Sequence, residues 1–232
     1  MKHLRLPLCL SIGLVGAAGL APAADSLNDL RVQGDYLWTR DHSKSDTTFR
    51  IGAFTATQSD SDTHAPETHF RTGILWMGSL DVLKPGDAGG SFIYGVGAAY
   101  DRSTDSDPNI EFISQGAIAD LYGGWGWACS ERCHIELTAL GGGGVISTRL
   151  ESTIPGITDQ DTDTAPYYEY GVRAGTYYTS PDGWQFGIEG SYTMGHITAE
   201  FTLNQGTTSV MATGRDRLEN AAVGVGIGYR FR

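Results

Sequence analysis

The charged residues that sit inside otherwise apolar or glycine-rich segments of this chain fall at alternate positions. Arg71, Asp120, Glu136, Glu169, Arg173 and Glu189 do so, as do Asp81 and Arg230. Side chains along a strand point alternately to its two faces. These carboxylates and guanidiniums therefore share one face, and neighbours such as Ile135, Leu137 and Ile188 share the other. Acids and bases gathered away from water pair through charge-assisted hydrogen bonds, which is the chemistry this set can do. With Ser180 opposite Trp184 across Pro181-Asp182-Gly183, Arg173 falls opposite Ser191 and diagonal to Glu189, within reach of a long side chain.

Other reactive residue types are present without a convincing pattern. Hydrolysis would need a His beside a nucleophile and an acid, and His64, His69, His134 and His196 show no His-x-Ser pair with an acidic partner, so no catalytic residue is assigned. Asp159, Asp161 and Asp163 alternate with polar residues, and Asp60, Asp62 and Glu67 form a second acidic stretch. Oxygen ligands of this kind suit a divalent cation, but the glycine and distal glutamate of a calcium loop are missing, so the first three are weak metal candidates. Gly141 to Gly144 and Gly224-Val-Gly-Ile-Gly228 lack the Lys-Ser/Thr pair of a phosphate loop. No cofactor is expected. Cys129 and Cys133 flank Ser130-Glu131-Arg132 on the same face, and export to an oxidising compartment would let them form a disulfide across the hairpin mouth.

The elements that must position these residues are strands. Residues 220–232 place Ala221, Val223, Val225, Ile227, Tyr229 and Phe231 at every second position, with Gly or polar residues between. The pattern recurs, and strands are expected over 30–40, 68–83, 91–104, 111–128, 134–150, 167–179, 184–203 and 215–231. Lys84-Pro85-Gly86-Asp87, Ser130-Glu131-Arg132 and Pro181-Asp182-Gly183 are compact turns, the last with Pro opening a type I turn and Gly in the left-handed position. Between them, 104–110, 151–166 and 203–214 are longer and polar. Charges facing hydrocarbon cost a few kcal/mol each, so the charged face must line an interior, where Gly95, Gly97, Gly224, Gly226 and Gly228 leave room for long side chains. The expected fold is all-β: an antiparallel up-and-down transmembrane β-barrel of about eight strands.

Lys2 and Arg5, the apolar stretch from Leu8 to Leu20 and Ala21-Pro22-Ala23 read as a secretory signal peptide over 1–23, leaving 24–232 as the barrel domain. No later window is apolar enough to cross a bilayer as a helix. The formal net charge is −11, and without a basic patch nucleic acid is excluded as a partner. Phe92 and Tyr94, Trp125 and Trp127, Tyr178, Trp184 and Phe186, and Tyr229 and Phe231 all lie near a compact turn or the C-terminus. They are expected to form one aromatic girdle, with Tyr36, Trp38, Tyr100 and Tyr168 at the opposite rim. Segment 30–40 is taken as the first spanning strand and 47–57 as part of an outer excursion. The reverse assignment would make 25–45 periplasmic or lumenal.

The leader, the alternating strands with compact turns at one end and the terminal Tyr229-Arg230-Phe231 resemble the small outer-membrane β-barrel superfamily of the opacity proteins and the outer-membrane protein A barrel. The resemblance implies a monomer in the outer membrane of a Gram-negative cell, in contact with outer-membrane lipids and lipopolysaccharide. It also implies insertion by the barrel-assembly machinery through a terminal aromatic, which here precedes Arg232. The expected function is that of a membrane scaffold or surface-loop interaction protein with a salt-bridged, largely closed lumen. A narrow-channel porin is the alternative, and a barrel enzyme acting on lipid comes third.

Overall fold

The computed structural model describes residues 27–51, 53–63, 67–107, 110–154, 157–205 and 208–231. The expected leader and His64 lie outside the described residues. Within them the chain forms strands β1 (Asn28–Ile51), β2 (Phe54–Thr63), β3 (Glu67–Ser79), β4 (Ser91–Asp107), β5 (Ile110–Ala128), β6 (Cys133–Ile154), β7 (Ile157–Thr179), β8 (Trp184–Gln205) and β9 (Thr208–Arg230). From β3 to β9 each strand pairs antiparallel with the next, β1 pairs with β3, and β9 returns to β1 from Asp29↔Arg230 to Ile51↔Thr208. The result is a closed up-and-down transmembrane barrel. β2 folds back on the far half of β1, from Ile51↔Phe54 to His42↔Thr63, above the stretch of β1 that β3 occupies. Segment 47–57 is therefore the tip of an excursion, and 30–40 lies within the first ring strand.

Alternation places the side chains as the sequence implies. Val225 is 60% exposed on the outer face while Gly224 and Gly226 face inward, and Leu121, Val172 and Ile188 extend the same apolar outer belt. At the turn end Phe92 and Trp125 are cross-strand partners with ring centroids 5.3 Å apart. Tyr178 pairs with Phe186, Trp184 meets Tyr229 edge-on at 5.9 Å, and Phe231 follows at 5.4 Å. Tyr94 and Trp127 are half-buried, Tyr94 lying against Trp76. At the opposite rim Tyr36 packs on Trp38 and Phe70. Leu30 to Trp38 covers about 27 Å of strand at about 3.4 Å per residue, a rise of about 19–22 Å at a barrel strand's tilt of about 35–45°, most of an apolar band about 25 Å tall.

The tight turns keep the expected register. Ser180 N–H donates to Trp184 O at 2.7 Å, and Gly183 has φ of 90°, a conformation that L side chains resist. Cys129 N–H donates to Cys133 O at 2.8 Å, which sets the two opposite each other. Cys129 and Cys133 are free thiols in this structure, the first exposed and the second half-buried, and the hairpin is closed by the backbone pairing together with Ser130 Oγ, which accepts from Arg132 and Cys133 N–H. β3 ends at Ser79, so Asp81 belongs to the following turn, where its N–H donates to Ser91 Oγ, and not to the inward face.

The segments 104–110, 151–166 and 203–214, expected as loops, are instead largely continuations of the strands. β4 to β7 stay paired out to Asp107↔Ile110, Ile110↔Ser152 and Ile154↔Ile157, and β8, β9, β1 and β2 out to Gln205↔Thr208, Ile51↔Thr208 and Ile51↔Phe54. The β7–β8 ladder stops at Tyr167↔Ile197. Beyond the belt the barrel thus continues as two four-stranded leaves. Neither face there must be apolar, so hydrophobic alternation fades while backbone pairing persists.

Candidate functional site in the barrel lumen

The inward face is stratified. At the turn end Leu27, Leu75, Met77 and Ile93 form a dry cluster with Leu83 and Tyr122 against it. Beside it, with Arg31 opposite Leu75 and Asp29 opposite Met77 across β1 and β3, lies an ionic network centred on Arg31, which is 1% exposed. Its guanidinium donates to Glu136 Oε2 at 2.8 Å and Oε1 at 2.5 Å, to Asp29 at 3.0 Å and to Gln185 at 2.5 Å, and stacks 3.8 Å from the centroid of Tyr177. Arg230 adds bonds to Asp29 at 2.8 and 3.0 Å. His134 joins Glu136 at 2.9 Å and stacks on Tyr177. Asp29, His134 and Glu136 could each offer a ligand atom to a metal, but the Arg31 guanidinium already bonds both carboxylates, and with Arg230 on Asp29 the two cations balance their charge.

The next layers use the residues singled out from sequence. Arg173 lies opposite Ser191 and pairs with Glu189, which also accepts from Tyr177 Oη at 2.5 Å and Gln33 at 2.8 Å. Arg71 holds Glu169 through two bonds of 2.7 and 3.1 Å and reaches Asp101 at 3.2 Å. Tyr167 donates to Glu169 at 2.7 Å, and His69 Nε2 lies 3.2 Å from Asp101. Asp120 is buried, and its Oδ1 has no partner among the described residues. It lines a cavity of about 40 Å³ together with Asp35, Glu169, Glu189, Arg71 and Arg173. Glycines make this crowding possible. An added Cβ at Gly187 would stand 2.1 Å from the Tyr177 ring, and one at Gly228 would stand 2.8 Å from Arg31 Cγ.

The strand parity found seven members of this inward charged set: Arg71, Asp120, Glu136, Glu169, Arg173, Glu189 and Arg230. It missed the most connected one. Arg31 carries the same signal, since Asp29, Arg31 and Gln33 alternate with Leu30 and Val32, as do Tyr177 and Gln185 beside the outward Tyr178 and Trp184.

Above the network the lumen widens into a cup of about 440 Å³ lined by all eight ring strands. β1, β3 and β4 contribute polar groups, among them Thr39, Asp41, His69 and Asp101; β6 and β8 contribute mostly apolar ones, among them Ile146, Leu150, Ile197 and Phe201; and β9 contributes both, with Leu218 between Asp216 and Asn220. At the floor Thr39 Oγ1 donates to its cross-strand partner Asn220 at 2.7 Å. Near the mouth Phe112 of β5 meets Phe201 of β8, centroids 6.3 Å apart, across two intervening strands.

Asp159, Asp161 and Asp163 do not converge on a cation. Each spans the gap between the two leaves, accepting from the β8 backbone N–H of Asn204 at 2.9 Å, Thr202 at 2.6 Å and Glu200 at 2.8 Å respectively. The second oxygen of each takes the N–H of the next residue. With both oxygens so engaged, the three weak metal candidates form a carboxylate seam between β7 and β8. The two N–H donors from Asn204 and Gln160 hold the Asp159 carboxyl below the usual carboxylate range. In the other acidic stretch Asp60 caps its own neighbour, Ser61, and the side chains of Asp62 and Glu67 lie outside the described residues. His196 stacks on Tyr168 at the rim.

No protein-family model matches the chain, and no curated protein matches it. Among solved structures it is similar to the attachment invasion locus protein Ail of Yersinia pestis, at 14% identity and a TM-score of 0.37, covering 88% of this chain and 99% of that one. Neisserial surface protein A gives 13% and 0.38, covering 87% and 97%. The outer membrane protease OmpT of Escherichia coli gives 10% and 0.29, covering 87% and 97%. At these identities and scores no property of those proteins passes to this chain.

Proposed function

We propose that this protein is an outer-membrane barrel whose lumen is closed to solutes and whose work is done at its outer end, as a scaffold for the two hairpin leaves and the cup they enclose. The observation that carries the reading is the filled cross-section. Arg31, Arg71, Arg173 and Arg230 are each bonded to inward carboxylates, and the cavity among the Arg71 and Arg173 pairs holds only about 40 Å³. A ring of about eight strands is narrow enough to be filled by its own side chains, and paired charges there are satisfied without bulk water. The outward apolar belt and two aromatic rims suit lipid on all sides, so the protein works as a monomer among outer-membrane lipids and lipopolysaccharide, inserted by the barrel-assembly machinery. The test is solute flux. Proteoliposomes carrying the refolded protein should swell in arabinose no faster than empty ones, and cell fractionation should recover it, heat-modifiable, with the outer membrane. Swelling at a porin's rate would favour the narrow-channel alternative.

A further inference from the structure

We propose that the outer cup is a binding site for one amphipathic cation, a rigid apolar body of drug size bearing an ammonium group, entering from the outer face. Small-molecule sites are concave, mostly apolar, of about 300–1,000 Å³, with a few polar groups that fix orientation. The cup, at about 440 Å³, has that size, with apolar walls from β6 and β8 and hydroxyl and acidic groups set among them, Asp41 directly beside Leu218. Phe201, Leu150 and Leu203 are buried on the inward face at a height where the strands outside are polar. They face away from lipid, so contact with the bilayer does not explain them. The sign of the head group follows from the lining. Asp41 and Asp216 border the cup, no Lys or Arg does so among the described residues, and the bordering His69 and Asp101 are paired with each other. Arg71, beneath the floor, is taken up by Glu169 and Asp101. Walls of one sign around a low-dielectric cleft concentrate the opposite charge, so an anion is repelled and a cation is matched.

The experiment uses the mature chain in nanodiscs of zwitterionic lipid with three probes sharing one ring system: 1-naphthylmethylamine, 1-naphthaleneacetate and 1-methylnaphthalene. The amine should show saturable one-site binding above that of empty discs, at least tenfold tighter than the acetate. Filling the cup from β8 by Ala199→Trp, or independently from β9 by Ala212→Phe, should abolish it in protein that still migrates as a folded barrel. Asp41→Asn combined with Asp216→Asn should narrow the preference for the amine at least threefold. The proposal is overturned if the three probes partition alike into loaded and empty discs, if the acetate binds as tightly as the amine, or if binding survives both filling substitutions.

Discussion

Replacing Arg31 with Met tests the ionic network at its most connected point. The side chain is shielded from solvent and bonds Glu136 twice, Asp29 and Gln185, with its plane over Tyr177. Loss of the guanidinium does not orphan Asp29, which keeps Arg230 at 2.8 Å. Glu136 fares worse, being left with His134 at 2.9 Å and Arg173 at 3.9 Å. Removing one partner of a buried pair costs about 3–5 kcal/mol, whereas replacing both by uncharged groups is often nearly neutral. Because Glu136 retains one close partner, the single substitution should cost about 3 kcal/mol, at the lower end. Adding Glu136→Gln should return at least about 1.5 kcal/mol of that, a coupling typical of contacting residues. Reversible urea unfolding in lysolipid micelles, followed by tryptophan fluorescence, measures all four corners of the cycle. A single substitution within about 0.5 kcal/mol of wild type, or a strictly additive double variant, would refute the assignment of Arg31 as the hub.

Asp159 has its carboxyl held low by two N–H donors, so its bridge is present above the ordinary Asp value of about 3.9 and is lost only as pH falls through the lowered one. The Asn204 amide proton should titrate with that acidic midpoint in NMR, and a midpoint at or above the ordinary value would count against the bridge. Asp161→Ala removes the bond to Thr202 and should speed hydrogen exchange at that amide about tenfold while leaving the thermal unfolding of the spanning barrel unmoved; a lowered unfolding temperature would mean that the seam supports the whole fold. The free thiols of Cys129 and Cys133 should close on exposure to oxidised glutathione, since their backbones are directly paired. Uptake of two alkyl groups afterwards, read by mass, would show that they stay apart.

How much of this was legible depends on what the solvent demands of each segment. Between the aromatic rims lipid requires one apolar face, so the alternation around Val223, Val225 and Ile227 identified the strand, its orientation and the inward position of Arg173 opposite Ser191. Past the rims water bathes both faces and that requirement lapses. Residues such as Thr162, Asp163 and Thr164 then read as loop although they remain in the ladder with β6. Asp159, Asp161 and Asp163 were noticed as a spaced acidic set, but spacing alone does not tell whether carboxylates converge on an ion or reach across a seam. Arg31 carried the right parity on the segment taken as the first strand, but it was not singled out among the inward charges. The cup was beyond reach from sequence, because Phe112 and Phe201 meet only through closure of the ring.

Single-channel recording of the refolded protein in a planar bilayer at 1 M KCl tests the closed lumen most directly. The network of Arg31, Arg71, Arg173 and Arg230 with their carboxylates predicts a baseline without sustained steps, and steps that appear once Arg31→Met loosens it. A large, steady conductance in the wild-type protein, unchanged by that substitution, would contradict the account.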